Sequence, residues 1–382
     1  MIDHLQRFQE TKVDFSAGQA RLRVNGKRVF LLSLLLSTWV PMAFFISLGQ
    51  IATPNFSLNS FKTLLVFFGT AHVQATLFFY TDKGFQHLIR ENRRRYVYLP
   101  LLLIVGTGLV FLLAGPLIQT YLLFFYWAWQ AFHYGRQNVG IYAFVSISET
   151  KKSAPKLERL CLEAATYCGM LGTLKVLGMG IAPSYLRGLF NFLFQAGFYL
   201  FLGLFAFSLF SYLKNLGEAT ATKTVFFLTL ILFFFPMYSS NDPNVTFLSY
   251  AIAHGMQYLV FMAVVSANSD RSAFRKRLNS VLKLSACVLF VGFAFMYWAK
   301  LKEFDLVRSS ATLLKLMDFL FGAVLGTTMA HFVIDAGAWR LTRASTRSYV
   351  MDRFGFVFRD DAARDDAAVL VPAPSGTVSP QA

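Results

Sequence analysis

Apolar runs long enough to cross a bilayer leave a chain few folds to choose from, and this chain contains many of them. A helix needs about 18–20 apolar residues to span the hydrocarbon. Runs near or above that length recur between Val29 and Trp339. Hydrophobic residues are 55% of the 382 and charged residues only 15%, with 43 phenylalanines, whereas a soluble domain carries about 25% charged residues. Backbone polar groups in lipid must be satisfied within the segment, which makes the runs helices. The expected fold class is therefore all-α, a polytopic integral membrane helical bundle of about ten transmembrane helices. The spans are expected near residues 29–49, 62–80, 96–114, 117–140, 160–181, 189–213, 224–238, 247–266, 281–299 and 312–339.

The net charge of +16 does not point to nucleic acid, because the cations sit in clusters between apolar runs and no nucleic-acid motif accompanies them. They read as membrane-surface anchors. With ten spans and a cytoplasmic N-terminus, the outer segments hold Lys62, Arg187, Lys300, Lys302 and Arg308, and the other loop cations lie inside. That asymmetry is what the positive-inside rule requires, and it puts both termini in the cytoplasm. The span at 160–181 carries Glu163 and Lys175, yet dropping it would turn the basic SDRSAFRKR loop outward. Residues 1–28 form a basic cytoplasmic segment without the short apolar core of a removable signal. Residues 29–340 form the transmembrane domain. Residues 341–382 are a cytoplasmic tail, expected to be disordered beyond about 355, where Asp, Ala and Pro dominate. A bacterial inner membrane is the expected location. The three cysteines lack CxxC spacing and read as buried free thiols.

Polar groups inside these runs are the candidate site. The stretch YWAWQAFHYGRQNVG, Tyr126 to Gly140, carries Gln130, His133, Arg136, Gln137 and Asn138. Helical spacing puts Gln130, His133 and Gln137 on one face. Such groups are costly in lipid and face the bundle interior. Three other runs each carry one histidine, namely His72, His254 and His331. In the ten-span topology all four histidine-bearing helices run in one direction, with the imidazoles near mid-membrane and His331 somewhat toward the cytoplasm.

Each histidine has a polar companion on its own helix: Gln74 and Thr76 for His72, Gln137 for His133, Gln257 for His254 and Asp335 for His331. Metal-bound imidazoles commonly donate their second N–H to such a group, so Asp335, Gln137 and Gln257 are the expected supporting residues, with Asp335 also a candidate ligand. An imidazole set suits iron, zinc, copper or nickel. Non-haem Fe2+ leads, with haem held by facing imidazole pairs as the nearest rival and copper or zinc as further candidates. The plain alternative is four histidines hydrogen-bonded across helix pairs. Arg136 is expected either to bind an anionic group of a substrate or to snorkel to the interface. Trp129 and Tyr134 are expected to line an apolar substrate tunnel or simply to pack.

Histidines on separate membrane helices, together with Ala253-His254-Gly255, resemble the Brp/Blh family of membrane β-carotene dioxygenases. The resemblance implies histidine-bound iron and an apolar isoprenoid substrate. The chain departs from that family in having no Pro before His254 and no helix with two histidines one turn apart. The expected function is a membrane-embedded iron oxygenase acting on an apolar lipid or carotenoid, with the bilayer and dioxygen as partners. The alternatives are a transporter or channel using the histidines as a relay, and a structural membrane protein.

Overall fold

The computed structural model of the chain describes residues 26–51, 71–180, 183–214, 220–239, 243–269, 274–301 and 310–358. Most of the basic N-terminal segment, the first half of the expected span at 62–80 and the end of the tail lie outside these residues. Among the described residues there is helix and no strand.

The principal helices in chain order are α1 (Gly26–Ile51), α2 (Lys83–Glu91), α3 (Leu99–Leu113), α4 (Pro116–Thr150), α5 (Lys156–Gly180), α6 (Ser184–Lys214), α7 (Ala221–Leu232), α8 (Pro243–Ala267), α9 (Phe274–Leu301), α10 (Ala311–Ala338) and α11 (Ala344–Phe358). Residues 71–75 and Phe78–Thr81 are short helical pieces, and one π-helical turn, Arg94–Tyr98, leads into α3. Pro116 opens α4 without loss because its missing N–H has no helical partner there. The helix ends at Lys151, which takes the left-handed conformation.

Five segments are long and apolar enough to cross a membrane: Gly26–Phe44, Arg94–Leu113, Ser184–Lys214, Ser249–Ala267 and Ala311–Ala338. They coincide with five of the ten expected spans. The expected spans at 117–140, 160–181 and 281–299 lie within the helices α4, α5 and α9. Amides, a histidine and hydroxyl-bearing aromatics dilute the hydropathy of α4, and Glu158, Arg159 and Glu163 that of α5. The segment at 224–238 begins in α7 and turns at residues 233–235 before a last short helix, Pro236–Ser239.

Close packing is clearest between α3 and α10, which run antiparallel. A Cβ added at Gly322 would lie 2.3 Å from the Thr107 carbonyl oxygen, and one at Gly326 would lie 2.4 Å from that of Leu103. Backbone atoms cannot retreat as a side chain can. The pair spaced four apart thus lets two helices touch along their backbones, the usual device of membrane helix pairs. His331 follows Gly326 on the same helix, so this seam sets its depth and azimuth.

Aromatic rings fill the bundle beside the end of α10, where Trp339 packs on Phe261 and Phe354. Phe354 of α11 packs on Phe30, Phe144 and Phe261 from α1, α4 and α8, with ring centres 5.2–5.6 Å apart. Val350, Phe354 and Val357 are fully buried. The boundary expected at residue 340 therefore does not end the packed body, and helix continues through Phe358 where disorder was expected from about 355. The period of these apolar residues had been outweighed by the composition of the chain beyond them.

A buried polar latch fixes α11. The Arg353 guanidinium donates to both carboxylate oxygens of Asp82, at 3.0 and 3.1 Å, and the Tyr349 hydroxyl donates to the same carboxylate at 2.7 Å. Burial, with the Asp82 charge adding to it, holds the Tyr349 phenol well above its ordinary range, so it remains a donor. Asp82 also caps α2 by accepting from the Gly84 N–H. Asn268, just past α8, donates to the Arg353 carbonyl at 2.9 Å.

Gly326→Ala is expected to lower stability by about 1–3 kcal/mol through overpacking, read as a lower Tm in mild detergent. Arg353→Ala leaves a buried, uncompensated Asp82 and is expected to cost about 3–5 kcal/mol. Asp82→Asn combined with Arg353→Met should recover much of that loss in the same melting assay. An unchanged Tm in the single Arg353 variant would show that the latch does not carry stability.

Candidate metal centre

Four helical segments deliver one imidazole each to a single interior point. His72 comes from the short helix before Phe78, His133 from α4, His254 from α8 and His331 from α10, with relative exposures of 2%, 5%, 0% and 1%. Their ring centres form a closed circuit. The distances are 5.0 Å from His72 to His254, 5.0 Å from His254 to His133, 5.1 Å from His133 to His331 and 5.1 Å from His331 back to His72. Neighbouring rings stand 74–88° to one another, edge toward face.

This arrangement puts ring nitrogens close together. Ligand atoms from His72, His254 and His331 lie within 4.8 Å of one another, as do those from His133, His331 and Asp335. A first-row metal binds imidazole nitrogen at about 2.0–2.1 Å, so two such nitrogens on one ion are at most about 4.2 Å apart. Side-chain rotation that draws the nitrogens together would bring either group onto one ion, and His331 belongs to both.

The nitrogens also lack other partners. The His133 Nε2, the His331 Nε2 and both ring nitrogens of His254 have no hydrogen-bond partner among the described residues. Each buried polar atom left in that condition costs about 1–3 kcal/mol. Together they rival the whole net stability of a typical domain, about 5–15 kcal/mol. A bound cation would remove much of that cost by turning one lone pair per imidazole into a ligand bond.

The supporting residues are where sequence reasoning needs correction. Each histidine was expected to be held by a companion on its own helix, and for His331 and His133 the structure supplies a companion from another helix. Thr76, one turn from His72, is bonded instead to the Nδ1 of His331 at 2.6 Å and to the Tyr258 hydroxyl at 3.0 Å. Asp335, one turn from His331, approaches the His133 Nε2 at 3.7 Å, and its other oxygen accepts from the Trp339 indole N–H. Gln137 donates to the His254 carbonyl at 3.3 Å and to the Gln257 side chain at 3.0 Å. Gln257 in turn donates to the Thr38 hydroxyl of α1 at 2.6 Å. Gln137 and Gln257 therefore tie three helices together beside the ring of histidines and do not contact an imidazole nitrogen. Groups that converge on an interior point also meet companions from facing helices, and here those companions are the ones within reach.

The three expected substrate residues separate. Tyr134 lies against His254, ring centres 3.9 Å apart, and its hydroxyl accepts from Gln130. Trp129 stands one ring away. It packs on Phe332 at 5.7 Å, which stacks on His133 at 4.4 Å. Arg136 is exposed and forms an ion pair with Glu163 of α5 at 2.7 Å, so Glu163 gains the cross-helix partner it needs. Arg136 is not brought to the histidines. Thr38, Tyr258, Phe332 and Trp339 take part without having been singled out by the sequence. Tyr258 and Trp339 each lie one turn beyond a site residue, a faint signal, and Thr38 has none. The three cysteines are free thiols, Cys161 and Cys168 buried and Cys287 partly so.

No protein-family model matches this chain, and no curated protein or solved structure matches it either.

Proposed function

We propose that this protein is a membrane-embedded non-haem iron oxygenase, with iron held by His72, His133, His254 and His331 and an apolar lipid or isoprenoid as substrate. The observation that carries this reading is the closed ring of four buried imidazoles from four separate helical segments, with nitrogens of His133, His254 and His331 that have no hydrogen-bond partner among the described residues. Neutral imidazole suits iron, copper and zinc, and excludes magnesium and calcium as natural occupants. Four nitrogens on a six-coordinate ion leave room for dioxygen, which is what an oxygenase requires. Asp335, near His133 and His331, would serve as a fifth ligand or as the group that orients His133.

Haem fits this spacing poorly. A porphyrin needs its axial imidazoles on opposite faces and an unobstructed plane between them. Here every imidazole has two others at 5.0–5.1 Å, and these would occupy that plane.

In this reading the chain crosses a bacterial inner membrane ten times, with both termini in the cytoplasm, and the substrate enters laterally from the lipid. The charge asymmetry of the loops supports that orientation. The exposed apolar surfaces of α1, α3 and α6, including Leu32, Leu102 and Phe210, support contact with lipid. The resemblance to the Brp/Blh dioxygenases supports an isoprenoid substrate.

Protein purified in mild detergent is expected to carry about one iron per chain by mass spectrometry, with no Soret band. Single His→Ala changes at the four positions should remove most of it. Four variants that keep full metal would overturn the assignment, and ion flux in proteoliposomes without oxygen uptake would move it to transport. Thr76→Val and Asp335→Asn should weaken metal binding by about 10–100-fold in a chelator competition. Unchanged affinity in both would show that neither supports the site.

A further inference from the structure

A second site lies at one end of the antiparallel pair α3 and α10, on the surface. The apolar segment Arg94–Leu113 begins there and the segment Ala311–Ala338 ends there. A Cβ on Gly337 would meet Arg95 Nε at 2.8 Å, which places the two segment ends side by side. Two adjoining cavities of about 410 and 430 Å3 open at this point and share Asn92. The first is lined by Asn92, Arg94, Arg95, Leu99 and Val333, and the second includes Arg343, Ser345 and Thr346.

Positive charge is concentrated here, with the single carboxylate of Glu91 among four arginines. Arg340 and Arg343 both lie close enough to Arg95 to repel its charge. Arg94, Arg95, Arg340 and Arg343 form no ion pair with a described carboxylate. Glu91 also lines the second cavity, and it pairs with His87 at 3.3 Å. Arg95 is held in place by donating from Nε to the Val333 carbonyl at 3.2 Å, which fixes the direction of its remaining N–H groups. From the first cavity the surface of α3 continues as exposed Leu101, Leu102 and Val105. A cationic recess that opens onto an apolar helix face has the polarity of a lipid, headgroup first and acyl chain after.

We propose that the cleft between the start of α3 and the end of α10 binds the phosphate of an anionic phospholipid, with Arg94, Arg95 and Arg343 on the headgroup and α3 along the acyl chains. Arginine suits this task because its planar fork meets phosphate oxygens in pairs. Basic recesses between membrane helices on the cytoplasmic side are typical places for such headgroups. The site is independent of the histidines, so its loss leaves metal content unchanged.

The test uses the full chain in mild detergent, titrated with phosphatidylglycerol, with phosphatidylcholine and with inorganic phosphate, and read by native mass spectrometry. Phosphatidylglycerol should be retained in preference to phosphatidylcholine, and inorganic phosphate should not displace it. Arg94→Gln and Arg343→Gln, both at exposed positions, should each weaken it about fivefold, and the double variant about 25-fold if the effects add. Arg187→Gln, outside the cleft, should leave binding unchanged. Equal retention of the two lipids, or full retention in the double variant, would overturn the proposal. Displacement by millimolar inorganic phosphate would overturn the lipid assignment in favour of a soluble phosphate ligand.

Discussion

Bringing four imidazoles together in a dry interior is the constraint on which the rest of the structure depends. Polar nitrogens without partners are expensive there, and here the supporting groups of His331 and His133 come from other helices. The helices must therefore be held at fixed depths and angles by forces that do not come from the histidines. Gly322 and Gly326 supply that along α10, and the phenylalanines around Phe354 supply it across α1, α4 and α8.

The cross-helix support has a consequence for rigidity. Thr76 orients a histidine on α10, Asp335 of α10 approaches a histidine on α4, and Gln137 and Gln257 join α4, α8 and α1. Each supporting bond is also a tie between helices. A shift of any one helix disturbs the histidine of another, so the cluster is defined by the bundle as a whole and not by a local motif. This explains why no contiguous sequence signature marks it.

The histidines were legible in the sequence because polar groups in apolar runs are rare and each must be accounted for. Helical content was legible for the same reason that the runs were. The pairing of companions was not legible, because spacing along a helix says nothing about which helix faces it. Thr38 and Phe332 were invisible, being ordinary residues of apolar segments until a neighbour arrives. For Arg136 the sequence left anion binding and snorkelling both open, because its partner Glu163 lies on another helix. The helix Ala344–Phe358 was hidden by the composition beyond it, although Val350, Phe354 and Val357 already carry the spacing of a buried helix face.

The latch between Asp82 and Arg353 joins residues 271 positions apart. Synthesis runs from the N-terminus, so Asp82 leaves the ribosome long before its partner exists. Until Arg353 emerges, the helical pieces bearing His72 are held by Tyr80 on the Tyr96 carbonyl and by Thr76 on Tyr258, without the ion pair. Full closure around the centre therefore needs the far end of the chain. A chain that stops short of α11 would hold all four histidines and still lack the bolt that closes them in.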